Sequence, residues 1–563
     1  MPPSPLRRTP LLLVAITLAT ACRGSDPATT TGSAGGTLVI SAPADADVLL
    51  PPLTMNITSA EVDGQIFERL AEPGASLNTI GDAGWTGRMA RGWTWSADSL
   101  SLAFTLDSAA RWHDGAPVRA SDVRFTYQLY TDPAVGSPLR PLLANIDSVT
   151  TRDSLTAVVW FHQRAPEQFY DAAYLMYILP AHLLASAPRD HLASSSFARD
   201  PVGSGPYHFV RWTPRQSIEL AADTMYHHGR PNLDRLIWSI VPDPNAAITR
   251  VMSGEADLVE FLRPPDLAEI TKHADLKAVR YPSLGMALLL FNERDPRHAG
   301  RPHPIFSDRT VRRALAMSVD RARLVKSVFD TLAYVAIGPV THALPTYDST
   351  IAQLPYSPDS ARKLLDADGW RARGDSGWRA KNGVPLRFSI LVPASSTPRL
   401  RMAVLMQEMF RAVGARVDLE QTDFPTYVQR QESRQFDASM VAVQLDPTPS
   451  SIRQSWSSAA ARAKDGGNFG SYENPAFDAM VDSAITRSQP DGAHAYYRKA
   501  YAMLIADAPA IWLFEPMNFA GMQRRIHPVS MRADAWWAHL DQWSIPAAER
   551  IARDRIGLAQ AKP

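Results

Sequence analysis

The chain has 563 residues, of which 58 are Lys or Arg and 57 are Asp or Glu, so the formal net charge is only +1. Such a balanced charge provides no excess positive field for non-specific nucleic-acid binding. Hydrophobic residues make up 45% of the chain, which is enough to fill the cores of the three or four lobes that this length predicts. The single cysteine, Cys22, excludes an internal disulfide framework and any multi-cysteine metal site.

The N-terminal residues have the features of an export signal. Arg7 and Arg8 precede the apolar run 11–21, which is about half the length that a bilayer-spanning helix needs. Cys22 follows small residues, which resembles a bacterial lipoprotein signal, in which the cysteine becomes the lipidated first residue. We predict a signal peptide at 1–21, a lipid anchor on Cys22 and a flexible tether at 22–36. Ordinary secretion with an unmodified thiol is the alternative.

The first half of the body predicts short strands and turns. Apolar or alternating runs bounded by turn residues indicate a strand at 37–40 and a hairpin at 93–106 that turns at 98–99. A helix is expected over 61–70 because its apolar residues share one stripe. Ser121 is expected to cap a further helix.

The second half contains clearer helix signals. Polar residues that suit the N-cap precede amphipathic stretches, and two of these caps are followed by proline in the first turn. The expected caps are Asp308, Asp320, Ser357 and Asn474, and apolar runs at 386–392 and 439–443 predict strands between the helices. Helices mixed with short strands predict an α/β fold.

Motifs of several well-known enzyme chemistries are missing from the sequence. There is no Gly-x-Ser-x-Gly elbow, His-Glu-x-x-His pair, Walker loop or Gly-x-Gly-x-x-Gly fingerprint. Ser204 lies between two glycines, but Pro206 opposes a helix there, so a structural turn is favoured over a nucleophile. His227 and His228 are adjacent and cannot share a helix face, so a solvent-exposed loop is favoured over a metal site. We predict a protein that is not an enzyme and that needs no cofactor or metal, with a secreted hydrolase as the disfavoured alternative.

Several short segments occur in a defined order along the body. They are GTLV at 36–39, RWHDGAPV at 111–118 with the helix start that follows, PVGSGPY at 201–207, SGEAD at 253–257, the stretches 291–321 and 356–370, and NPAFD at 474–478. In this order they resemble the peptide/nickel-type solute-binding proteins of bacterial ABC importers, which include the dipeptide- and oligopeptide-binding proteins. The resemblance covers the chain from about residue 36 to about residue 543.

The resemblance implies an α/β fold, namely a two-lobed periplasmic-binding-protein clamp that is type II-like and has an extra small domain. Such a protein captures a solute between its lobes and delivers it to ABC permease subunits. It would be a monomer in the periplasm or at the cell surface. The implied first lobe comprises 37–67, 201–290 and 512–550, the inserted small domain 68–200, the second lobe 291–511 and a polar tail 551–563.

The resemblance also implies which residues bind the solute. In the peptide binders the ligand pairs through its backbone with a strand from each lobe, and an aspartate neutralises its amino terminus. The implied residues are Asp446 at the amine, Ala442, Val443 and Gln444 in one pairing strand, Met55, Asn56 and Ile57 in the other, and Phe424 in the pocket wall. A turn aspartate is the alternative for Asp446, and ordinary core is the alternative for Phe424.

Three positions differ from the pattern of the family. The Gly-Trp that often precedes the aspartate is Ala442-Val443 here, and the arginine that some oligopeptide binders use for a carboxylate falls at Met440. Peptide capture is the leading hypothesis. An oligosaccharide, a nickel chelate or haem bound in the same fold is the alternative.

Overall fold

The computed structural model of the chain describes residues 34–298, 300–374, 377–487 and 489–555. Cys22 and most of the predicted tether lie outside these residues, as does the end of the predicted tail. The described part contains two large sheets, smaller sheets and many helices, so the predicted α/β fold is confirmed. None of the described helices combines the length and the apolar character that crossing a membrane requires.

A seven-stranded mixed sheet forms the first lobe. Its central strand, Thr37–Ala42, is buried along its whole length, as its apolar sequence predicts. In spatial order the strands are Leu276–Tyr281, Asn518–Gln523, Leu258–Val259, Thr37–Ala42, Arg235–Ile240, Ser217–Ala222 and Tyr207–Thr213. The accompanying helices are the α-helices Ile57–Ile66, Pro244–Met252 and Pro264–Ile270 and the 3₁₀ helices Pro51–Leu53, Leu540–Gln542, Ala547–Glu549 and Ala552–Arg555.

The small domain is built on an antiparallel four-stranded sheet. Its apolar side chains, such as Phe104 and Val159, belong to the same hydrophobic core as Leu38 and Trp238 of the first sheet. The strands are, in spatial order, Ala90–Trp95, Ser101–Leu106, Thr156–Phe161 and Ile146–Thr151, with a further pair Ala71–Glu72 and Thr86–Gly87. The helices are Ala120–Thr131, Arg140–Leu143, Gln168–Ala173, Ala181–Leu184 and Arg189–Ser194.

A six-stranded mixed sheet forms the second lobe. In spatial order its strands are Ala333–Val335, Ala510–Pro516, Gly285–Phe291, Ala438–Gln444, Arg387–Pro393 and Arg416–Thr422, and Arg371–Arg373, Trp378–Lys381 and Val384–Pro385 form a separate small sheet. The helices are Arg309–Ser318, Arg321–Phe329, Pro358–Ala367, Thr397–Arg411, Phe424–Glu432, Pro449–Ser451, Ile452–Trp456, Ser458–Arg462, Pro475–Ile485 and Pro490–Asp507.

Two adjacent chain crossings join the large sheets. Leu276–Tyr281 and Asn518–Gln523 pair at the edge of the first sheet, and the strands next to them in the chain pair in the second sheet. The crossings are therefore only residues 282–284 and Met517. Our predicted boundaries differ from this, since they place 285–290 and 512–516 in the first lobe. The hydrogen bonding of Gly285–Phe291 and Ala510–Pro516 decides their membership, and the family resemblance does not contain that information.

Most of the predicted helix starts are confirmed. The side chains of Asp308, Asp320, Ser357 and Asn474 each accept a backbone N–H of the first helical turn. The cap predicted at Ser121 is wrong, because Ala120–Thr131 begins after Arg119, whose N–H donates to the carboxylate of Asp122 at 2.8 Å. The helix predicted at 61–70 occurs at Ile57–Ile66 instead, with Asn56 as its cap.

The segment SGEAD at 253–257 supplies a buried carboxylate that stabilises the first sheet. Asp257 is fully buried, and its Oδ2 accepts the backbone N–H of Val39 at 2.9 Å. Its Oδ1 accepts Arg525 Nε at 2.9 Å and is also paired with Arg553. This carboxylate thus links the central strand to two cations from the end of the chain.

The predicted polar tail is attached to the same place. Asp554, in the 3₁₀ helix Ala552–Arg555, is buried and accepts the backbone N–H of Thr37 at 2.9 Å. Its second oxygen accepts Arg525 Nη1 at 2.7 Å. The described part of the tail is therefore part of the first lobe.

Replacing Asp257 with alanine should destabilise the fold strongly. The Asp257→Ala variant removes the carboxylate partner of Arg553 and one of the two buried carboxylate partners of Arg525, so we expect a loss of about 3 kcal/mol in the free energy of unfolding. Urea unfolding followed by tryptophan fluorescence measures this loss. Glu255→Ala is the matched control, because Glu255 is exposed and lies 3.8 Å from Arg250. Equal stability of the two variants would contradict the role of Asp257.

Candidate functional site

A cavity of about 900 Å³ lies where the small domain faces the second lobe. Its size falls in the range of sites that hold small molecules. The second lobe contributes strands Gly285–Phe291 and Ala438–Gln444 and residues 445–456, and the small domain contributes 141–145 and 162–175. We call this space the cavity below.

One strand of the cavity wall has a free backbone edge. Ala438–Gln444 pairs along its whole length with Gly285–Phe291, but on its other side it pairs with Arg387–Pro393 only at Ala438 and Ser439. No other described strand covers that side of residues 442–444. The edge is therefore available to an additional strand.

The hydrogen-bond alternation shows which backbone groups face this edge. The N–H of Leu445 donates to Leu284 O at 2.8 Å, so odd-numbered residues of this strand bond to Gly285–Phe291. The N–H and C=O groups of Ala442 and Gln444 consequently point to the free side. Met440 obeys the same alternation, since its carbonyl accepts Tyr427 Oη at 2.7 Å. Ala442 and Gln444 thus offer unpaired backbone donors and acceptors to the cavity.

Asp446 lies just beyond this edge and lines the cavity. Its Oδ1 accepts the backbone N–H of Thr448 at 2.7 Å and the Thr448 hydroxyl at 2.6 Å, which is the turn arrangement that sequence analysis left open as the alternative. Among the described residues, no hydrogen bond is made to Oδ2. One oxygen therefore orients the side chain, and the other remains available to a ligand.

Two carboxyl groups of the small domain face Asp446, and sequence analysis missed both. Glu167 is only 5% exposed, and its Oε1 accepts the N–H of Ser450 at 3.3 Å. Burial raises the pKa of Glu167 to about 7, with a further contribution from Asp446. Burial also raises the pKa of Asp171 well above its ordinary value, and Glu167 and Asp446 add to this effect. The three carboxyls make this end of the cavity suited to a cation.

Part of the remaining wall is apolar, alongside polar lining residues. Met286, Leu288 and Leu290, from strand Gly285–Phe291, line the cavity. Trp456 also lines it and packs against Trp512, with 5.9 Å between the ring centroids. A surface of this kind accommodates apolar groups of many shapes, whereas the carboxyl groups suit a positively charged group. The cavity therefore joins an apolar wall, a backbone edge and an acidic end.

The structure does not bring the other predicted residues to the cavity. Met55 is 74% exposed, Asn56 caps a helix and Ile57 is the first residue of that helix, so residues 55–57 form no strand in this structure. Their contact with the solute stays a prediction. Asn56 accepts the N–H of Ser59 at 2.9 Å, and this cap explains why the helix starts here. Phe424 is exposed and stacks on Tyr427 rather than lining the cavity or lying in the core.

The segment PVGSGPY at 201–207 is a structural junction. Ser204 is 1% exposed, so its hydroxyl is not accessible to a substrate. A Cβ atom on Gly203 would come within 1.9 Å of Ile66 O, and the N–H of Gly205 donates to this carbonyl at 2.8 Å. Glycine is required at 203 because the two backbones touch. The interpretation of Ser204 as part of a turn is in keeping with this packing.

Comparisons with known proteins define the class of this chain. Residues 84–464 match the family described as bacterial extracellular solute-binding proteins, family 5 middle region. The chain belongs to this family of solute-binding proteins, which are not enzymes.

Relatives and solved structures agree with this assignment. A Brucella melitensis protein whose name assigns it to ABC-transporter peptide binding is 28% identical over 83% of this chain and 85% of its own length. The oligopeptide-binding protein AppA of Bacillus subtilis is 24% identical over 94% of this chain and 97% of its own.

The structure of AppA in complex with a nonapeptide matches with a TM-score of 0.72 at 22% identity and covers 91% of this chain and 99% of that one. NikZ from Campylobacter jejuni in complex with Ni(L-His) also has a TM-score of 0.72 at 22% identity, covering 90% and 99%. The predicted two-lobed clamp fold is confirmed by these structural matches.

The raised pKa of Glu167 predicts a specific pH dependence of stability. The folded state binds this proton more tightly than the unfolded state, so the stabilisation is present below the ordinary pKa of 4.5 and is lost as the pH rises to about 7. Glu167→Gln mimics the protonated form. From pH 5 to pH 8 the variant should therefore gain about 2–3 kcal/mol in free energy of unfolding relative to the natural protein.

Urea unfolding at the two pH values measures this difference. Glu432→Gln, at an exposed helix end, is the matched control and should track the natural protein at both pH values. If Glu167→Gln shows no relative gain at pH 8, the carboxyl is not buried in the way the structure places it.

Proposed function

We propose that this protein captures peptides for an ABC importer and holds them as an added strand along the free edge at Ala442 and Gln444. The observation that carries the proposal is that free edge, which opens onto the cavity and ends at Asp446. Main-chain pairing binds a peptide whatever its side chains are, and the apolar wall accommodates those side chains.

The acidic end of the cavity would receive the amino terminus of the peptide. A buried ammonium without a counterion costs several kcal/mol, and Asp446 Oδ2 would remove that cost. Glu167 and Asp171 would add negative potential from the other side. Because a bound cation favours the ionised form of each carboxyl, peptide binding would lower the raised pKa of Glu167.

The relatives support a peptide over the other solutes. AppA is named as an oligopeptide-binding protein and its matching structure contains a nonapeptide, and the Brucella relative is named for peptide binding. The complex of NikZ with Ni(L-His) keeps a nickel chelate as the competing candidate. His162 lines the cavity and is the observation that favours this second candidate.

The amine-binding role of Asp446 predicts a selective loss of affinity. Asp446→Asn should weaken the binding of peptides with a free amino terminus by about 10- to 100-fold, because a charged hydrogen bond is removed. The affinity for the same peptides carrying an N-acetyl group should change much less. Isothermal titration with a tripeptide in both forms measures the two effects.

Two comparisons make this test decisive. Asp465→Asn replaces an exposed aspartate of the same lobe and should leave both affinities unchanged. Equal loss for free and acetylated peptides would remove Asp446 from the amine role. If no peptide binds and nickel–histidine binds tightly, the solute of this protein is the nickel chelate and not a peptide.

We infer further that Cys22 carries lipid and tethers the binding domain to a membrane beside its permease. The support is the basic and apolar signal that precedes the only cysteine of the chain. In a bacterial host, the natural protein should fractionate with membranes and its N-terminal peptide should carry the mass of the lipid. Cys22→Ser should release the protein from the membrane fraction. Membrane association that persists in the variant would contradict lipidation at this position.

A further inference from the structure

A second cluster of ligating side chains lies outside the cavity, at the junction of the first lobe and the small domain. Its members are Glu68, His227 and His228, and one donor atom from each lies within 4.8 Å of the others. Sequence analysis favoured an exposed loop for the two histidines. The side chain of His227 is in fact only 2% exposed, whereas His228 is exposed as expected.

A tight turn brings the adjacent histidines to the same side. The N–H of Gly229 donates to Tyr226 O at 2.8 Å, and the positive φ of 96° at Gly229 is one that glycine adopts without strain. The two imidazole rings are 4.2 Å apart as a result. Adjacent residues cannot share the face of a helix, but they can in this segment, which is a turn.

Glu68 is held in position from the other side. It is buried, and its Oε1 accepts Tyr226 Oη at 2.7 Å. Its Oε2 lies 2.9 Å from His227 Nε2. A proton shared between an imidazole nitrogen and a carboxylate is what a divalent metal ion displaces when it binds to both.

Asp107 of the small domain supplies an outer partner for His227. Its Oδ2 lies 3.5 Å from His227 Nδ1, which is buried and makes no hydrogen bond with the described residues. Histidines that bind metals commonly direct the second ring nitrogen to a carboxylate, which leaves Nε2 as the metal-binding atom. The position of Nδ1 beside Asp107 therefore leaves Nε2, which faces Glu68, as the atom that a metal ion would contact.

His228 leaves the cluster accessible from solvent. Its Nε2 is 2.9 Å from Arg88 O, a contact that it would exchange for the metal. The exposed ring provides an entry path for an ion. Together the three residues offer two imidazoles and one carboxylate at one place.

We propose that Glu68, His227 and His228 bind one divalent first-row metal ion, with Asp107 orienting His227. Two imidazoles and a carboxylate with an open position suit zinc. None of the four residues lines the cavity, so this site is separate from the one proposed for peptides. Because Glu68 begins the chain segment that enters the small domain, the ion would stabilise the junction of that domain with the first lobe.

Zinc titration of the tag-free full chain, after removal of metal by chelation, tests the proposal. We expect one zinc ion per chain by isothermal titration and by elemental analysis after dialysis. His228→Ala should lower the affinity at least tenfold, and the exposed position of His228 means that the metal-free fold should persist. Asp107→Asn should weaken zinc binding about 10- to 100-fold through its effect on His227.

The control variant is His273→Ala, which removes a partly exposed histidine of the same lobe and should leave zinc binding unchanged. Circular dichroism of the metal-free variants separates loss of the site from loss of the fold. Absence of stoichiometric zinc binding would overturn the proposal, and so would an affinity that is the same in the natural protein, His228→Ala and His273→Ala.

Discussion

The free backbone edge in the cavity results from the unequal pairing of a single strand. Ala438–Gln444 begins buried between two neighbours and ends with only one, because its pairing with Arg387–Pro393 stops at Ser439. The backbone groups at Ala442 and Gln444 are therefore left to whatever occupies the cavity. A free edge costs little while water reaches it, and a ligand that encloses it must supply matching donors and acceptors. A peptide backbone provides these at the spacing of a strand.

The negative charge at the end of this edge also depends on contacts between separate parts of the fold. Asp446 comes from the second lobe, whereas Glu167 and Asp171 come from the small domain, so the negative potential arises only where the two meet. Desolvation keeps the pKa of Glu167 high at about 7. A cation bound beside Glu167 would favour its ionised form and so offset the cost of desolvation. The charge of a ligand would thereby be linked to the contact between the small domain and the second lobe. The overall charge of +1 conceals this local arrangement entirely.

Local sequence signals predicted local structure well. Caps such as Asp308 and Asn474, and the strand at 37–40, depend on neighbouring residues and were found where expected. The sequence did not predict the surroundings of residues whose environment is set by distant contacts. Met55 precedes a helix that Asn56 starts, Glu167 meets Ser450 across 283 residues, and His227 is buried by a turn that places it against Glu68. Family resemblance located Asp446, and only the fold revealed the carboxyls that face it.

A crystal structure with a bound tripeptide would test the central claim most directly. The account predicts backbone hydrogen bonds from the peptide to Ala442 and Gln444, with its ammonium about 3 Å from Asp446 Oδ2. Glu167 and Asp171 should lie on the opposite side of that ammonium. A peptide held only through its side chains, or bound away from this strand, would contradict the account.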